Sequence, residues 1–97
     1  DNTEIGEFNK ASTLLVRTEH LTYALNSPVN FSISGLSRGD LTMRIEKFFR
    51  GEWQGLRFLN SKEIESRSLS LKTEGKFRLE IKMGSETQYS NEFYLRQ

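Results

Sequence analysis

Phe77-Arg78-Leu79-Glu80-Ile81-Lys82-Met83 alternates apolar and polar residues without interruption, and a period of two is that of a strand with one face buried and the other in water. The same alternation returns at Val29, Phe31 and Ile33, at Leu41, Met43 and Ile45, and at Tyr89, Phe93 and Leu95. No long helical period competes with it, so the chain reads as all-β. Working outward, Thr13 to Arg17 sets Leu14 and Val16 against Leu15, and Leu21 to Leu25 places Leu21, Tyr23 and Leu25 on one side.

Turn chemistry divides these runs. Asn26-Ser27-Pro28 breaks the chain before Val29, because proline fixes its own backbone and biases the preceding residue away from helix. Ser37-Arg38-Gly39-Asp40 precedes the strand Leu41 to Phe48, and Arg50-Gly51-Glu52 reverses it in a tight hairpin into Trp53 to Phe58. Asn60 to Arg67 has a single apolar residue, Ile64, and suits either a short helical turn or an edge strand. Alternation resumes over Ser68 to Leu71 and Lys76 to Met83. The turn Gly84-Ser85-Glu86 then leads into a last strand, Thr87 to Leu95. Seven to eight short strands between turns are the pattern of a two-sheet antiparallel sandwich.

The 97 residues make one domain, with residues 1–12 expected as a flexible polar leader and 13–97 as the sandwich. A start at Asp1, without methionine, is expected of a processed chain or an excised domain. The 14 basic and 13 acidic residues interleave to a net charge of +1, which argues against nucleic acid or an anionic membrane as partner. No apolar run approaches the roughly 20 residues that span a bilayer. The absence of cysteine removes disulfides, thiolate zinc ligands and a thiol nucleophile from consideration.

Two stretches carry family resemblances. Thr18-Glu19-His20-Leu21-Thr22-Tyr23 with Ser27-Pro28-Val29-Asn30-Phe31-Ser32-Ile33 resembles the opening of macroglobulin-like and bacterial immunoglobulin-like domains, with Asn26-Ser27-Pro28 in place of their Pro-Gly turn. Leu71 to Ile81 is similar to the E-to-F corner of immunoglobulin-like and fibronectin-type sandwiches, where a tyrosine commonly stands at the position of Phe77. Tyr89 to Leu95 looks like the closing strand of bacterial cell-surface modules. The resemblance implies an immunoglobulin-like β-sandwich from a secreted or cell-envelope protein, with a non-catalytic binding or spacer role.

Candidate sites follow from the aromatics. Trp53, with Phe48, Phe49 and Phe58, concentrates rings around the Arg50-Gly51-Glu52 turn; parity turns Phe49 inward and Phe48 outward, and Tyr94 points outward between Phe93 and Leu95. Trp53, Tyr94 and Phe48 are therefore the expected contact surface for another protein. The alternative is a polysaccharide, with Trp53, Tyr94 and Tyr23 offering ring faces and Gln54, Asn91 or Glu92 bonding hydroxyls. In a structural reading, Trp53 instead fills the core between the sheets.

Other motifs point to ordinary surface chemistry. His20 is the single histidine and lacks the partners that a general base or a metal site requires; Glu63 and Glu65 would share a strand face as a solvated stripe. Serines and glycines lack nucleophile-elbow and phosphate-loop spacings, so neither an enzyme nor a cofactor site is expected. Asn30-Phe31-Ser32 fits a glycosylation sequon on a strand, and Arg38-Gly39-Asp40 resembles an integrin-binding loop, although exposed turns favour glycine and aspartate in any case. Lys62, Glu63, Glu65 and Arg67 read as edge charges that discourage pairing, leaving a monomer whose terminal strand is open to β-augmentation.

Overall fold

A computed structural model describes residues 14–35 and 40–97. The expected leader and most of the Ser37–Asp40 turn, with its Arg-Gly-Asp triplet, lie outside the described residues. The strands are β1 (Leu15–Thr18), β2 (Thr22–Ala24), β3 (Val29–Ser34), β4 (Leu41–Phe49), β5 (Glu52–Phe58), β6 (Ser68–Leu69), β7 (Gly75–Met83), β8 (Glu86–Tyr89) and β9 (Phe93–Arg96). Among the described residues one short helix, α1 (Ser61–Ser66), interrupts them.

The strands form two sheets, ordered β1-β3-β6 and β2-β9-β7-β4-β5, with β8 pairing β7 alongside β9. Between them lies one core. Leu14, Val16, Val29, Phe31 and Leu69 face it from the smaller sheet, and Met43, Ile45, Phe77, Leu79, Ile81, Phe93 and Leu95 from the larger. The alternation of β7 does what its sequence predicts: Phe77, Leu79 and Ile81 are fully buried. Each such side chain contributes on the order of 1.5–3 kcal/mol through burial. Leu14 and Val16 face inward and Leu15 outward, as expected.

Several expectations need correction. Asn60 to Arg67 is a helical turn and not an edge strand: the Asn60 side chain accepts from the Glu63 N–H, while the Glu63 carboxylate accepts from the Asn60 N–H. This reciprocal cap satisfies main-chain donors that a helix start leaves unpaired. Lys62, Glu63 and Glu65 therefore lie on a helix and not in an edge strand, Arg67 caps that helix, and Glu63 and Glu65 share no strand face. Leu21 lies exposed outside β2, whereas Tyr23 is buried.

The expected terminal strand is open only in part: β9 pairs antiparallel with β7 on one side and parallel with β2 on the other, whereas β8 pairs only with β7 among the described residues. The expected continuous strand from Thr87 to Leu95 is broken at Ser90, Asn91 and Glu92. These three residues stand opposite two of β7, Arg78 and Leu79, so β8 and β9 keep different registers. One extra residue reverses the side-chain parity. Tyr89 consequently lies opposite Glu80 on the outer face, while Phe93 lies opposite Phe77 in the core.

Candidate binding face

The outer side of the larger sheet is assembled by register from strands that are distant in sequence. In β4 the outward positions are Thr42, Arg44, Glu46 and Phe48; across the ladder Arg44 faces Glu80, and Glu46 faces Arg78. On the other flank Phe48 faces Trp53, and Glu46 faces Gly55. Tyr94 joins from β9, opposite Lys76. The three residues expected to form a contact surface, Trp53, Tyr94 and Phe48, thus share one face of one sheet. Trp53 lies outside the inter-sheet core, half-buried among neighbours on its own face.

Cations and rings interleave across this face. Phe48 and Trp53 meet edge to face at 5.2 Å, and the Lys76 ammonium sits 4.3 Å from the centre of the Phe48 ring. The Arg78 guanidinium is 4.4 Å from Trp53 and 3.9 Å from Tyr89, so one cation bridges rings from β5 and β8. Arg96 lies over Tyr94 at 5.5 Å.

Beneath the rings runs a charge network. Glu46, only 4% exposed, accepts from Arg44 Nη2 at 2.7 Å and from Arg78 Nε at 2.7 Å. Glu80, 6% exposed, lies 3.4 Å from Arg44 Nη2 and accepts from the Tyr89 hydroxyl at 3.3 Å. Burial is the largest single influence on the Glu46 carboxyl and pushes it upward. The hydrogen bonds and charges of Arg78 and Arg44 together outweigh that effect and hold the group below its ordinary 4.5. The Tyr89 phenol moves the other way, raised first by burial and then by the charge of Glu80. Gly55 is part of this arrangement, since a Cβ there would stand 2.9 Å from the Arg44 guanidinium.

The remaining candidates do not join the face. Phe49 follows the core parity, but it lies at the end of β4 and is 47% exposed. His20 is exposed, 3.6 Å from Glu19 and edge-on to Tyr23. The Tyr23 hydroxyl accepts from the His20 N–H and donates to the Asn30 carbonyl, so this ring is buried structure and not a platform. Gln54 lies on the opposite parity, facing Lys47, and Asn91 is bonded to Thr18. Glu92 pairs with Lys76 at 3.6 Å. Asn30 is exposed on β3. Among the described residues, no helix is long and apolar enough to cross a membrane.

Arg44, Glu46, Arg78, Glu80 and Tyr89 escaped the sequence-based selection of contact residues. The four charged residues signalled themselves as charges on the outward parity of the two longest strands, whereas Tyr89 was hidden by the change of parity after β8. What the sequence lacks is the register that sets Glu46 against Arg78. Comparison of the sequence with protein-family models and with curated proteins finds no match.

Proposed function

We propose that this chain is a non-catalytic protein-binding or spacer module of a secreted or cell-envelope protein, contacting its partner through the outer face of the larger sheet. The observation that carries this reading is the gathering of Trp53, Phe48 and Tyr94 on one solvent-facing side, interleaved with Arg78, Lys76 and Arg96. Aromatic residues and arginine are the types enriched where protein partners bind most tightly. An immunoglobulin-like or fibronectin-type assignment is favoured by two sheets, of three and six strands, and by β2 lying parallel to the last strand. The bacterial envelope setting rests on the resemblances of Thr18 to Ile33 and Tyr89 to Leu95.

A non-catalytic role agrees with the use of the buried carboxylates, Glu46 and Glu80, each of which is engaged by arginine. The polysaccharide alternative needs open ring faces. Arg78 over Trp53 and Arg96 over Tyr94 cover ring surface that a sugar would require, which favours a protein partner.

Iodide quenching of Trp53 with and without a polysaccharide panel, paired with affinity capture from envelope extract, tests the reading. We expect a captured protein that is lost from Tyr94→Ala and Trp53→Ala variants with unchanged circular dichroism, and no glycan effect on quenching. Capture indifferent to both substitutions, or saturable protection of Trp53 by a glycan, would overturn it.

A further inference from the structure

The strands β1 and β8 both end their sheets, and between them runs an open groove of about 430 Å³. Its walls carry large apolar groups left in water: Leu15 is 55% exposed, Leu21 63% and Tyr89 45%. Four consecutive residues of β1, Leu15 to Thr18, line its length.

The main chain of this wall faces the groove at alternate residues. Glu19 N–H donates to the Asn30 carbonyl, towards β3, whereas Thr18 N–H donates in the opposite direction, to Asn91 Oδ1 at 2.9 Å. The alternation of an antiparallel ladder then turns the N–H and C=O of Val16 to the groove side. On the far wall, the two-residue Gly84-Ser85 hairpin closes on Met83 and Glu86, which turns the main-chain groups of Thr87 and Tyr89 away from β7. Among the described residues, no main-chain hydrogen bond joins β1 to β8. Among the described residues, Arg17 is the only charged one lining the groove, and none of their carboxylates pairs with it.

We propose that this groove binds an extended peptide that adds to β1 as a strand, with apolar side chains at alternate positions and a carboxylate against Arg17. Peptide main chain is the ligand whose donors and acceptors match an open strand edge, and alternating side chains match the walls. The positive charge of Arg17 selects the acidic sequence. This site shares only Tyr89 with the outer face of the larger sheet, and the Trp53 and Phe48 readout keeps the two readings distinguishable.

The probe is a synthetic octapeptide of alternating valine and threonine with one central aspartate, titrated into the 97-residue chain and followed by amide NMR. We expect saturable shifts at Val16, Arg17, Thr18 and Tyr89, slowed hydrogen exchange at Val16, and little change at Phe48 and Trp53. A peptide N-methylated along one edge loses binding. The Arg17→Glu variant weakens the aspartate peptide about tenfold and favours its lysine counterpart, as reversal of a partly exposed ion pair implies.

Shifts confined to Trp53 and Phe48, or no shifts at millimolar peptide, would overturn the proposal. So would sedimentation showing that Leu15→Glu abolishes a dimer, which gives the groove to a second copy. A tenfold gain in peptide affinity on Ile5→Asp with Phe8→Asp, the isolated apolar residues of the expected leader, would likewise overturn it, giving the groove to the chain's own residues.

Discussion

Replacing Glu46 by glutamine keeps the shape of the side chain and removes one negative charge from beneath two guanidinium groups. In the native protein this carboxylate is 4% exposed and accepts two hydrogen bonds of 2.7 Å. A glutamine retains one acceptor oxygen and turns an amide donor towards the other arginine, so one charge-assisted bond becomes a donor facing a donor. Removing one partner of a fully buried ion pair costs about 3–5 kcal/mol. Here the Arg44 and Arg78 side chains remain 35% and 23% exposed, and water recovers part of their solvation. The expected loss is therefore about 2–3 kcal/mol, which for a domain of this size lowers the melting temperature by roughly 8–20 °C.

Urea unfolding followed by Trp53 emission and by circular dichroism measures the effect, with an unchanged denaturant slope expected. The pH dependence provides a second test. Because the folded-state pKa of Glu46 is depressed, its stabilisation is complete above the carboxylate range of the unfolded chain. It is lost as pH falls through the lower folded value. Wild type should thus lose this contribution on acidification, and the Glu46→Gln variant should lack it. A destabilisation under about 0.5 kcal/mol with an unaltered acid limb would refute the reasoning, since that is what a solvated surface pair gives.

Three further substitutions probe local geometry. Arg50 holds φ 53° beside Gly51 at φ 84° in the β4–β5 turn, so Arg50→Asn, which better tolerates that left-handed conformation, should stabilise by about 0.5–1 kcal/mol in thermal melts. Gly55→Ala places a methyl 2.9 Å from the Arg44 guanidinium; a loss of about 1–2 kcal/mol is expected, shrinking in an Arg44→Ala background if the clash is the cause. Asn60→Ala removes the acceptor for the Glu63 N–H and should cost about 1 kcal/mol by urea unfolding. It should also loosen the two-point pairing of Arg57 with Glu63, both bonds of which measure 2.9 Å.

The core was legible because hydrophobic parity needs no knowledge of neighbours. Phe77, Leu79 and Ile81 face inward, and an observer with only β7 could have said so. The helix at Ser61–Ser66 was half legible. Its Asn60 and Glu63 have capping-box spacing, yet the segment is short and contributes just one apolar residue, half-buried Ile64. Trp53 shows the limit of composition: a lone tryptophan suits a sandwich core, but its place opposite outward-facing Phe48 puts it outside. Nor did β9 announce that β2 would lie along it, since that pairing joins residues more than seventy positions apart.

The extra residue at Ser90–Glu92 binds these lessons into one structural argument. Without it, Tyr89 would share the parity of Phe93 and turn into the core, and the ring now 3.9 Å from Arg78 would be absent from the outer face. The insertion is tolerated because serine supplies what the interrupted ladder lacks. Ser90 N–H donates to the Leu79 carbonyl at 2.8 Å, and its hydroxyl oxygen accepts from the Leu79 N–H at 2.9 Å, replacing a strand carbonyl with a side chain. The hydroxyl then donates to the Asn91 carbonyl at 2.7 Å, and Asn91 in turn holds Thr18 of β1. The same three residues thus set the outer aromatic face and close one end of the β1–β8 groove. Neither surface could be read from alternation alone, because alternation is the rule that this bulge breaks.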